Sequence, residues 1–472
     1  MCSTNYSREY LVKPTTNGMV DERSYILQQQ QRQALDGVDN HKNCPKFASF
    51  NYINSIIGSG VIGIPYAFNL AGVGLGIILL ALVAIVTDYS LVIMLKSAHI
   101  CGSFSYQSLM KSAFGRYGFV VLSFLQFTYP FIAMVSYNII VGDTATKVLI
   151  RLFALPHDSI FAQRYFVIAM ATIFITAPLC MLRNVARLAK ASVLSFIMVL
   201  VIFVTIVIRY ESLSDVMSSV YKADNKSTWD FARPDAVQAM GIMSFGFMCQ
   251  HNVFLLYDSI EGVSQTVWNN VTHFAVTVSF LLMVGFGLVG YATFGNLTQG
   301  DLLENYCWND DLINISRLLF SLITLLTFPL ECMVTKAVVD QTLKGDTNDA
   351  LVPMSKKKHA IVTISILVIT YLVSISTKCL GIALELNGVM AAIPLAFVLP
   401  AAIYIKVSDD SWKKKIPAYC LALFGTFVAF LGVYMVIDEI LTSTSTDSCN
   451  NDNIMDHCYI NNTSYQQQIN SQ

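Results

Sequence analysis

Apolar positions in this chain come in long unbroken blocks, not in the alternation of a half-buried strand or the one-sided stripe of a surface helix. GIILLALVAIVTDYSLVIML, LSFIMVLVIFVTIVI and FAVTVSFLLMVGFGLVGYATF are examples. Blocks of this kind fit a hydrocarbon core about 30 Å thick. Eleven transmembrane helices are predicted, over about 47–70, 73–97, 117–147, 164–182, 189–209, 234–257, 271–294, 312–338, 359–377, 381–405 and 416–440. Pro130, Pro178, Pro329, Pro394 and Pro400 fall inside them, which membrane helices tolerate where neighbours satisfy the freed backbone groups. The predicted fold class is an all-α polytopic membrane protein, so its first partner is the lipid bilayer.

Composition agrees: 54% of the residues are hydrophobic and 13% charged, where a soluble domain carries roughly a quarter charged. The formal net charge of −1 gives no footing for a nucleic-acid partner. Residues 1–46 are polar and lack the apolar core of a cleavable signal peptide. They are read as a disordered cytosolic tail available to a protein partner, and 441–472 as a tail on the far side.

Orientation follows from Lys and Arg. With the N-terminus in the cytosol, 21 of the 30 basic residues fall on the cytosolic side, as the positive-inside rule requires. Eleven spans then place the C-terminus outside, in a plasma membrane or an endolysosomal one. The glycosylation sequons at Asn225, Asn296, Asn461 and Asn462 lie on that outer side, although Asn5 and Asn270 fit the same pattern on the inner side. Cys307 and Cys379 in outer loops, with Cys449 and Cys458 in the outer tail, could make two disulfides in an oxidising compartment or remain four free thiols.

The stretch IIGSGVIGIP places Gly58, Gly60 and Gly63 in the spacing G-x-G-x-x-G. A dinucleotide fingerprint would need a strand before it and an acidic residue about 20 positions on within a βαβ unit, and the flanks offer neither. Two readings remain: close packing of small residues, or a deliberate break, since irregular backbone survives at membrane depth only inside protein or along a cavity. A second unusual segment stands five spans later. In MSFGFMCQHNVFLLY, Gly246 is followed by Gln250, His251 and Asn252 at membrane depth, where polar groups are expensive; a satisfied core network would also account for them.

Five is odd, so spans 1–5 and 6–10 enter the bilayer from opposite sides. This is the inverted-repeat plan of secondary transporters, whose broken helices build a binding site near the midplane. The repeats run over about 47–210 and 234–405, with the span at 416–440 as an extra. In such a site the N–H groups around Gly58, Ser59 and Gly60 hold a carboxylate at a half-helix start. Carbonyls around Phe245, Gly246 and Phe247 hold an ammonium. Together they suit an α-amino acid. Asn54 offers a hard oxygen one turn before Gly58. Thr324 and Thr327 share a face of span 8 just ahead of Pro329, which frees the Leu325 carbonyl. These are the candidate Na⁺ ligands, the bland alternative being threonines that bond their own helix. Asp88, Glu331 and Glu385 are charges inside the spans that could carry or sense protons; Glu331 is within reach of Lys336, Glu385 is near the outer end of span 10, and Asp88 is the least explained.

At these residues the chain resembles the amino acid/auxin permease superfamily, and within it the sodium-coupled neutral amino acid transporters. NSIIGSGVIGIPYAFNLAG is similar to the first-helix signature, and the likeness continues through YQSLMKSAFG, FTYPFIAMVSYNIIVGD and ENYCWNDD to CLGIALELNG, covering about 47–440. The resemblance implies an eleven-span leucine-transporter-like fold and alternating access, with small neutral L-amino acids cotransported with Na⁺. Positions matching the family's cation-binding asparagine and threonine are Asn54 and Thr327. One departure is Gln250 after Cys249, where many relatives have histidine; here His251 comes next. The expected function is a Na⁺-coupled symporter with no organic cofactor. An amino acid sensor and a proton-coupled carrier of the same fold are the rivals. No H-E-x-x-H or G-x-S-x-G motif points to an enzyme.

Overall fold

A computed structural model of the chain describes residues 45–156, 159–182, 192–224, 229–258, 260, 264–344, 354–377 and 379–442. Asn5, Asn225, Asn461, Asn462, Cys449, Cys458 and almost all of the N-terminal tail lie outside the described residues. The described part is built of helices. Nine are long and apolar enough to cross a membrane, and a tenth span is the pair 48–56 and 60–71, bent by 45°. The predicted sixth span consists of two short helices that do not qualify singly, so the count of eleven is not established by helix length.

Helix α1 (Pro45–Ile56) ends at the glycine cluster, a 3₁₀ turn follows over Ser59–Gly63, and α2 (Ile64–Ala71) resumes with Pro65 in its first turn, where a missing N–H costs nothing. Helix α3 (Val73–Cys101) ends on Gly102 in the left-handed region, φ 63°. Helix α4 (Tyr106–Phe153) is two helices joined at Gly115, whose φ of 63° with ψ of −149° breaks the first piece from the spanning one. Arg164–Met181 follows as one span, then α5 (Ser192–Asp224). Helices α6 (Ala236–Gly246) and α7 (Val253–Asp258) flank the second break. Helices α8 (Gln265–Phe294), α9 (Asp311–Lys344) and α10 (Lys356–Ser376) are continuous.

The span at 380–407 is the most enclosed of all. It starts as α11 (Leu380–Asn387), widens into π turns at Gly388–Ala392 and Pro394–Val398, and ends as α12 (Leu399–Val407). Two features mark the widened segment. A Cβ on Gly388 would strike the Gly241 carbonyl of α6, and Pro394 has no N–H to give. Carbonyls in the second π turn are used instead by side chains: Tyr106 Oη donates to Leu395 O at 2.7 Å, and Ser90 Oγ donates to Ala396 O. Helix α13 (Trp412–Thr442) packs outside this core and turns Leu423, Phe427 and Phe430 outward.

Two expectations about charge change. Asp88 is met by His273 Nδ1 of α8 at 2.7 Å. Lys336 does not neutralise Glu331. Five residues on a helix point about 140° apart, and Lys336 Nζ donates instead to the Cys180 carbonyl at 2.7 Å and meets His359 Nε2 at 3.2 Å.

Candidate functional site

The two interruptions meet. A Cβ on Gly60 would lie 2.5 Å from Gly246 Cα and 3.1 Å from Gly246 N, closer than real Cβ atoms come, so the approach is backbone to backbone and needs glycine. Gly58 is different: a Cβ there meets nothing within 4 Å, so the space beside it is open. Ile57 N–H still donates to Ile53 O at 2.8 Å and closes α1. The N–H groups of Gly58, Ser59 and Gly60 come next, at the start of the following turn, where a helix offers no acceptor of its own.

The second break begins as α6 ends. Phe247 N–H donates to Met243 O at 3.1 Å and Met248 N–H to Phe245 O at 3.2 Å, so the Phe245 carbonyl is already engaged. The carbonyls of Ser244, Gly246 and Phe247 belong to the last turn, whose acceptors a helix leaves unused. Ser244 adds a hydroxyl that sequence reading missed: its Oγ is buried and without a hydrogen-bond partner. Beyond the break, Gln250 Oε1 accepts from Cys249 N–H at 3.1 Å while its Nε2 stays unpartnered.

Side chains enclose the junction. The Tyr129 ring of α4 lies 5.8 Å from Phe245 and 5.3 Å from His251, centroid to centroid. His251 Nε2 approaches Glu331 of α9 at 3.7 Å and Asn252 Nδ2 at 2.9 Å, and Asn252 Nδ2 also donates to Ser55 Oγ of α1 at 3.3 Å. The polar run after the second break thus spans from α1 to α9. Tyr129 and Ser55 were not singled out from sequence, because an aromatic beside Pro130 and a serine beside Asn54 carry no signal of their own.

Candidate cation ligands fall on two helices. Asn54 is part-buried in the last turn of α1. Thr327 Oγ1 donates to Ile323 O at 2.8 Å, and Thr324 Oγ1 is shared between Phe320 O at 3.2 Å and Ser321 O at 2.9 Å. Both hydroxyls donate to carbonyls of their own helix, which is the bland alternative to cation binding. Pro329 lies inside α9 and frees the carbonyl four residues back. Among the described residues no cluster of three or more His, Cys, Asp or Glu suits a transition metal.

Asn296 is enclosed rather than free. Its side-chain oxygen accepts from Arg233 Nη2 and from Tyr291 Oη at 3.3 Å, and its carbonyl accepts from Asn69 Nδ2 at 3.3 Å. The free thiols among the described residues are Cys101, Cys180, Cys249, Cys332 and Cys420, a set without Cys307 and Cys379.

The family model described as "Transmembrane amino acid transporter protein" matches residues 41–438. The chain belongs to this family. The transporter is 40% identical over 449 residues to the Danio rerio protein named "Putative sodium-coupled neutral amino acid transporter 11", covering 94% of this chain and 95% of that one. It is 41% identical to the Mus musculus protein of the same name, with 90% of each covered. It is 28% identical to Vacuolar amino acid transporter 2 of Saccharomyces cerevisiae, with 87% of each covered. Among solved structures, the transporter is similar to the Eremococcus coleocola manganese transporter, with a TM-score of 0.53 and 12% identity over 85% of this chain and 88% of that one. MhsT in complex with L-phenylalanine gives a TM-score of 0.52 and 12% identity over 83% and 98%. At such identities the likeness is one of fold, and the fold is leucine-transporter-like. The transporter is an integral multi-pass membrane protein that moves amino acids, and not an enzyme.

Proposed function

We propose that the transporter is a secondary active symporter that moves small neutral L-amino acids together with Na⁺ by alternating access. The observation that carries this reading is the contact of Gly60 with Gly246, which joins two half-helix ends of opposite polarity. The N–H groups of Gly58, Ser59 and Gly60 hold the carboxylate. Carbonyls of Gly246 and Phe247, with the Ser244 hydroxyl, hold the ammonium. Phe245 contributes its ring to the wall beside Tyr129 rather than its engaged carbonyl. Asn54 and Thr327 coordinate Na⁺, with Thr324 behind them. Each ligand shifts the outward-open and inward-open populations only by its differential affinity for the two.

The repeats run over about 47–210 and 234–405 within a transporter domain of 47–440, with the eleventh helix outside both. The N-terminal tail is cytosolic, open to a protein partner, and the C-terminus is extracytosolic in the plasma membrane. The absence of Cys307 and Cys379 from the free thiols supports a disulfide between the two outer loops that carry them.

Uptake of a panel of labelled amino acids into proteoliposomes, with Na⁺ and H⁺ gradients imposed separately, tests the reading. Accumulation of a small neutral amino acid driven by inward Na⁺ is expected. Accumulation driven by H⁺ alone, or binding without turnover, would replace it with the carrier or sensor alternative.

A further inference from the structure

Glu385 stands in α11 with no exposed surface, and the Tyr66 phenol is the hydrogen-bonding side chain that faces its carboxyl. Its surroundings are acidic. The ionisable groups that face it are the Tyr66 phenol of α2, the Glu439 carboxylate of α13 and the Asp235 carboxylate just before α6. Gln238 Nε2 of α6 donates to Glu439 Oε2 at 2.7 Å. From α4 the polar contact is a carbonyl, since Asn387 Nδ2 donates to Tyr129 O at 3.1 Å. The turn Ser59–Gly63 brings no ionisable side chain. Among the described residues, Arg233 is committed to Asn69, Asp230 and Asn296, and Lys147 to Glu304.

Glu385 also sits where three moving parts of such a fold are pressed together. A Cβ on Gly63 would lie 2.7 Å from Leu384 Cδ1, one on Gly381 would lie 2.8 Å from Tyr66 Cε1, and one on Gly388 would strike the Gly241 carbonyl. In this closed arrangement α2, α6 and α11 enclose the carboxyl among acidic groups, with the Tyr66 phenol as its hydrogen-bonding neighbour and no ion pair to a cation among the described residues. An ion buried without a counter-charge is strongly disfavoured.

We propose that Glu385 is a proton-binding site in the gate formed by α2, α6 and α11. This rests on the transporter reading, which places the gate on the extracytosolic side. Closing the gate takes one proton from the outer solution onto Glu385. Opening hydrates the carboxyl, the proton leaves to that same solution, and repulsion among Glu385, Asp235 and Glu439 then holds the gate open. Acid outside favours the closed gate. Because one proton is involved, the open-to-closed ratio changes by at most about tenfold per pH unit.

Gate opening can be read without transport. In the full-length protein, a cysteine at Leu384 is labelled by a membrane-impermeant maleimide from the outer face at about pH 5.5 and about pH 8.0, a range wide enough for a one-proton linkage. The rate is divided by that of a cysteine at the exposed Leu297 to remove the reagent's own pH dependence, and the parent without either cysteine gives the background. Ile242→Cys is a second reporter in case Leu384→Cys folds poorly. With Glu385 present, the normalised rate is expected to rise several-fold from acid to alkali. With Glu385→Gln, which cannot ionise, it is expected to be slow at both values. Equal normalised rates with Glu385 present, or an undiminished pH dependence in Glu385→Gln, would overturn the proposal. Amino acid uptake measured in the same preparations fails or succeeds independently, so loss of the symporter reading is separable from loss of this one.

Discussion

The two breaks face each other but are built from opposite materials. The first, between α1 and α2, is nearly bare: glycine at 58, 60 and 63, open space beside Gly58 and backbone contact at Gly60. The second, between α6 and α7, carries Ser244, Gln250, His251 and Asn252 and is tied by side chains to α1 and α9. The first break meets its partner by backbone approach at Gly60, whereas the second is anchored by side chains. On the proposed reading, the first break offers peptide dipoles for ligand capture and the second offers side chains for orientation and selectivity.

The sharpest way to break this comparison is Gly60→Ala. Its methyl would have to displace the Gly246 backbone, a kind of overpacking that costs about 1–3 kcal/mol or more, and uptake is expected to fall by at least about tenfold at near-normal surface abundance. Next comes Asn54→Ala, which removes one oxygen from the proposed cation site. The Na⁺ concentration for half-maximal uptake should rise about tenfold, equivalent to roughly 1.4 kcal/mol, and an unchanged Na⁺ response would remove Asn54 from that site.

A smaller effect is expected for Ser244→Ala, which deletes a hydroxyl worth about 1 kcal/mol as a hydrogen-bond partner. KM for the amino acid should rise about fivefold with little change in Na⁺ dependence. The smallest concerns abundance in Gly58→Ala. Nothing stands within 4 Å of the added methyl, so thermal stability should stay within about 0.5 kcal/mol of the parent, while substrate affinity falls because the methyl enters the proposed carboxylate space. Parallel loss of stability in the Gly58 and Gly60 variants would mean that both glycines serve packing alone.

How much of this was legible in the sequence differs between the same two regions. The first break could be read because glycine at membrane depth has few explanations, and the boundary at Ile56 falls where the glycines begin. The partner of that break was also legible, from the odd spacing of five spans. Contacts across the junction were not. Tyr129, Ser55 and Ser244 come from helices whose rotation no local pattern reveals, and Lys336 was misassigned to Glu331 because proximity in sequence does not fix which face of a helix a side chain takes. Glu385 was legible as a charge that could carry or sense protons near a helix end; its full burial beside the acidic groups of α13 and of the segment before α6 is a property of packing, and only three dimensions expose it.

A structure determined with a neutral amino acid and Na⁺ bound tests the central claim most directly. The account predicts the substrate carboxylate on the N–H groups of Gly58 to Gly60 and its ammonium on the carbonyls of Gly246 and Phe247 beside Ser244. Substrate density elsewhere, with α1–α2 and α6–α7 closed on each other and making no contact with it, would contradict the account.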